Sequence, residues 1–254
     1  MIGVVFRKEL LEVRRSPVLL LSMASLPATV VAVPLALLAW LLHAAPEQAL
    51  VFVEDVYRIR LPEGAFAGVA AAMARNWLPM FLVLPIFLPI VLTAQSVGGE
   101  RERRTLEPLL ATPVSTLAIV AGKSLAATVP AVLITWVAAV VFCLGLDAIA
   151  GVWLLPDAAW TFGALVLAPL LALFGNATAV AVSSRVLDPR AAQNLSATTV
   201  LPLLALLVFQ LAGRLALGTG FYIAMAAGVA LADCVLLALA VRVFDRERLL
   251  TRWR

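Results

Sequence analysis

Histidine is nearly missing from the chain: its 254 residues hold one, His43. That excludes a histidine-built metal site, and no His-Glu-x-x-His pattern occurs, so the expected metal complement is none. A serine–histidine hydrolase would have to rely on that one ring, which stands at the end of a long apolar run. Cysteine is scarce too. Cys143 and Cys234 each lie in an apolar segment, with no CxxC pair and no disulfide framework between them. Charge is thin, at 13% of residues against about 25% in soluble domains. A nucleotide-hydrolysing signature is also absent. The nearest fragment is Gly122-Lys123-Ser124, but a phosphate loop needs glycine at position 117, and Leu117 stands there. Lys123 is expected instead to snorkel to the membrane surface. Paired intramembrane aspartates are missing as well, so the expectation is a non-enzyme with no cofactor of its own.

What the chain has in abundance is apolar sequence, 63% of residues, with a mean hydropathy of +1.05. This predicts an all-α polytopic membrane protein of one domain, residues 1–254. Six apolar runs qualify as spans, at about 18–42, 77–97, 114–146, 160–183, 195–211 and 221–243. The first is long enough for a helix of roughly 37 Å, sufficient to cross with tilt. Residues 1–17 place Ile2, Phe6, Leu10 and Val13 near helical spacing among six charges. They read as an amphipathic helix at the membrane surface. A signal peptide is the weaker reading, because the following apolar run is too long and no small-x-small site follows it. Span two carries Pro79, Pro85 and Pro89. Such irregularity is tolerated against protein or a water-filled cavity, so the span is either a pathway wall or a kink held by its neighbours. Residues 43–76 form an extracytoplasmic segment, either a packed cap or a contact surface, with a strand-like alternation at 57–61 and a small-residue helix from Gly64 running toward span two.

Lys and Arg decide orientation. Of the 19, fifteen fall on one side when the segments alternate across six spans: the N-terminal helix, the 98–123 region, the 184–194 loop and the C-terminal end from Arg242 onward. The positive-inside rule then puts both termini in the cytoplasm. The basic pI of 9.7 is accounted for by this bias and needs no nucleic-acid partner.

The densest charged run separates spans two and three. Glu100, Arg101, Glu102, Arg103, Arg104 and Glu107 surround Thr105, and Leu106, Leu109, Leu110 and Val114 share one helical face. Gly98-Gly99 can end one span, and Thr112-Pro113 can cap the next. The pattern predicts a short helix at 98–113 whose leucines either dock on a protein partner or bury themselves in lipid headgroups.

The run Glu-x-Glu-x-x-Thr-Leu-x-x-Leu-Leu-x-Thr-Pro-Val-Ser from Glu100, followed by Gly122-Lys123, resembles the first cytoplasmic loop of permease subunits in the type 2 exporter class of ATP-binding-cassette transporters. The resemblance implies that this loop is a coupling helix seated in a groove of a separate ATPase. Glu100, Glu102, Arg103, Arg104, Thr105, Leu106, Glu107, Leu109 and Leu110 would then make the contact. It further implies two ATPase copies holding the ATP and magnesium, and a second copy of this chain or a related permease. The substrate path would run between the permeases, lined by spans one, two and five, in the cytoplasmic membrane.

Asp233 is the one acid well inside a span. It is either an ion or proton site, which would suit an ATP-independent carrier or channel, or a hydrogen-bonded structural group. Asn176 and Gln210 read as polar glue between helices.

Overall fold

The computed structural model describes residues 2–44, 66–98, 116–183, 188–211 and 217–243, together with Val51, Arg185 and Val186. All regular structure in them is helical, and six helices are long and apolar enough to cross a membrane. The expected fold class is borne out. The physical cause is that a chain with few polar side chains must satisfy its backbone groups internally, which in lipid leaves helices.

An N-terminal helix α1 (Ile2–Arg15) precedes span one, α2 (Pro17–Ala44). Span two consists of α3 (Phe66–Phe81), α4 (Val83–Thr93) and a π-helical turn, Ala94–Gly98. Its helix therefore starts ahead of Trp77 and takes in the small-residue stretch before it. Span three is α5 (Thr116–Ala150). Span four joins α6 (Ala158–Phe162), a π turn (Gly163–Leu167) and α7 (Ala168–Ser183). Span five joins α8 (Pro189–Ala197), a 3-10 turn (Thr198–Val200) and α9 (Leu201–Leu211). Span six is α10 (Thr219–Val243). The strand-like 57–61, most of the 43–65 segment and the 244–254 tail lie outside the described residues.

Span two is the axis of the bundle. Its most apolar stretch is 83% buried, against 17% to 39% for the other five spans. It packs most extensively on α7, where Gly175 lets the two backbones meet: a Cβ there would lie against the Ile86 carbonyl. Phe81, Phe142 and Trp160 tie spans two, three and four together, with ring centroids 4.9–5.0 Å apart.

The prolines explain a second set of ties. Proline has no N–H, so the carbonyl four residues earlier loses its helical donor. Pro34 frees Val30, and the Trp77 indole donates to that carbonyl at 3.0 Å. Pro79 frees Arg75, and Gln210 of span five donates to it at 3.0 Å. In the π turn of span four the bond runs from residue i+5, so Pro169 leaves Ala164 bare, and Trp136 donates to it at 2.7 Å. The Pro79 kink of span two is thus held by a neighbouring helix, and the span's burial leaves little of it to wall a path between two copies.

At the end away from the charged loop, Asp147 closes the turn after span three. Its Oδ1 accepts from the Leu154 and Leu155 N–H groups at 2.9 and 3.1 Å. Asp157 then caps span four by accepting from the Trp160 N–H.

Candidate functional site

The nine loop residues expected to make the coupling contact, Glu100 to Leu110, lie outside the described residues, as does the whole stretch 99–115. What the structure does describe is the platform from which that stretch leaves and to which it returns.

The platform has four parts at one end of the bundle. Helix α1 packs along the start of span three, and the π turn that closes span two packs on α8. The loop departs after Gly98 and the chain re-enters helix at Thr116. Gly122 makes the α1 contact close: a Cβ there would sit 2.7 Å from Val5 Cβ.

Beside Gly122, Lys123 is buried rather than snorkelled, and this corrects the expectation from sequence. Its side chain is 8% exposed and its Nζ lies 2.7 Å from Glu9 Oε1. Lys123 also donates to Ser96 Oγ at 2.9 Å, and Ser96 donates to Glu9 Oε2 at 2.6 Å. Three chain segments therefore meet in a closed triangle. The reason Lys123 does not extend outward is that a carboxylate reaches it inside; a buried ammonium is stable only when paired.

Glu9 is the one buried residue among those described in α1. Sequence periodicity put Ile2, Phe6, Leu10 and Val13 on one face, toward lipid or the bundle. In the structure Ile2 and Leu10 are exposed, Phe6 and Val13 are half-buried, and the inner face centres on Glu9. Burial pushes the Glu9 carboxyl up. The charge of Lys123, hydrogen bonds from Lys123 and Ser96, and the nearby Lys8 outweigh that and hold it below the ordinary 4.5. The available signal was the in-phase position of Glu9 between Phe6 and Val13.

Asn176 is buried and accepts from Thr93 Oγ1 at 2.7 Å, joining spans four and two as the glue reading requires. Gln210 is glue of the same kind, through Arg75. Asp233 is buried on span six, and both its carboxylate oxygens lack a hydrogen-bond partner among the described residues.

A family model described as ABC-2 family transporter protein matches residues 4–225, which include most of α1, the first five spans, the charged loop and the start of span six. The chain belongs to the ABC-2 transporter family. No curated protein and no solved structure matches it. As a permease of this family with six apolar helices, it is a multi-pass membrane protein and the membrane subunit of an ABC transporter. The buried triangle sits at the root of the segment that resembles the family's coupling loop.

Proposed function

We propose that this permease is the membrane-spanning half of an ATP-driven exporter, moved by a separate ATPase that grips the loop between spans two and three. The observation that carries the reading is the placement of that loop. Its Glu/Arg-rich, Leu-faced sequence springs from the end of the most buried span, next to a pinned N-terminal helix. A push on it travels into span two, and from there into every span that two contacts.

In this reading Leu106, Leu109 and Leu110 enter the ATPase groove. Glu100, Glu102, Arg103, Arg104 and Glu107 set the register, and Thr105 supports the helix start. Two ATPases, holding ATP and magnesium, serve two permease copies. The copies face each other through the exposed apolar sides of spans one and five, including Val33, Leu37, Val208 and Phe209. The charge bias places the loop and both termini in the cytoplasm, with the complex in the cytoplasmic membrane. Replacing Leu109 and Leu110 by Asp puts two charges into an apolar groove. Co-purification of the ATPase, or its hydrolysis rate in the complex, should fall about tenfold or more. A double variant that keeps both at native level would remove the reading.

A second reading, an ion-coupled carrier working without ATP, is favoured by one observation, the unpartnered carboxylate of Asp233. It requires the chain alone, in vesicles loaded with a pH-sensitive dye, to pass protons down a gradient, and Asp233→Asn to stop that flux. Equal leak from native and Asp233→Asn vesicles, at the level of empty ones, retires it.

A further inference from the structure

We infer that the Glu9–Ser96–Lys123 triangle is a positioning device that makes helix α1 and the two roots of the charged loop a single mechanical body. The inference rests on the proposed ATPase-gripped loop and adds a function for α1, which that reading leaves idle.

The geometry is specific. Ser96 lies in the π turn two residues before the loop departs, and Lys123 lies about two helical turns into span three. Glu9 uses one carboxylate oxygen for each, at 2.6 and 2.7 Å, and the 2.9 Å Lys123–Ser96 bond closes the ring. No corner can shift alone without breaking two bonds. The π turn has a role here too: its wider winding carries an extra residue and re-aims Ser96 relative to a continuous α-helix. The bare Gly122 backbone lets Val5 approach, so the polar ring sits beside a close apolar contact. Without the ring, α1 keeps its apolar packing on span three at Val5 and Gly122 but loses its polar tie to the roots of spans two and three. With it, force on the loop reaches α1 and both spans together.

The test compares native chain, Lys123→Met and the charge exchange Glu9→Lys with Lys123→Glu, each in lipid nanodiscs. The first measurement is hydrogen exchange at the α1 amides without ATPase. These amides should be protected in the native chain, exchange about tenfold faster in Lys123→Met, and regain protection in the exchanged pair. The second is hydrolysis by the co-purified ATPase. Lys123→Met should keep the native ratio of ATPase to permease yet hydrolyse about tenfold more slowly, the scale of a coupling energy between sites, with recovery in the exchanged pair. A merely structural contact would lower the amount of complex and leave the rate per complex unchanged. Native exchange and native hydrolysis in Lys123→Met overturn the inference, as does a monodisperse exchanged pair that behaves like Lys123→Met. Should Lys123→Met not fold, Ser96→Ala removes two sides of the ring and spares the ion pair; it must speed α1 exchange, and a native rate overturns the inference. If no ATPase binds the native chain, the coupling reading fails, and α1 exchange still decides whether the ring holds.

Discussion

Gly175→Val is expected to leave no folded permease. A side chain at this position would be built onto the Ile86 carbonyl oxygen, carbon and Cα, and none of these can swing aside as a side chain does. Overpacking a core usually costs about 1–3 kcal/mol when side chains can adjust. Here spans two and four would have to separate along the most buried seam of the bundle, so the loss should exceed that range. Gly175→Ala is the milder form and should lower the unfolding temperature in detergent. Gly228→Ala, where nothing lies within 4 Å, is the control and should not. Size-exclusion profiles of the three variants check this. A monodisperse Gly175→Val with native thermal stability would show that the two backbones do not touch.

The second large effect concerns charge. Removing Lys123 by Lys123→Met leaves the buried Glu9 carboxylate with only Ser96 and the exposed Lys8, and breaking a buried pair costs up to about 3–5 kcal/mol. Removing both charges, Glu9→Gln with Lys123→Met, should recover most of that loss, because the desolvation cost disappears along with the attraction. Acid has the same target. The folded Glu9 carboxyl titrates below the 4.5 of the unfolded chain. Its contribution to stability is therefore complete above pH 4.5 and is lost as pH falls through the lower folded value. The native protein should lose stability below pH 4.5 more steeply than the double variant. Equal acid sensitivity in a denaturation series would exclude Glu9 as the cause.

The sequence made the spans visible because a hydrocarbon core demands long apolar helices, and these runs have few rivals for any other state. Pro79 and Pro85 marked span two as irregular, and the helix is interrupted at Leu82. The donors that repair the bends were not legible. Trp77, Gln210 and Trp136 reach carbonyls 47, 135 and 28 residues away, well beyond any local period. Lys123 was misjudged for the same reason: its partner Glu9 lies 114 residues earlier, on another helix. Asn176 bonds to another helix, as an amide inside a span has few other options, though the sequence did not say that Thr93 would be its mate. The residues of the charged loop, Glu100 to Leu110, lie outside the described residues.

The repaired bends carry a consequence for motion. The carbonyls freed at Pro34, Pro79 and Pro169 each have an outside donor, and each donor is rooted in a different rod. Straightening or tilting one rod withdraws its donor and strands an oxygen in an oil-like interior, at a cost of several kcal/mol. Spans one, two and five, and separately three and four, are therefore geared to one another. A small rotation of one is handed on through a tooth made of one indole or one amide.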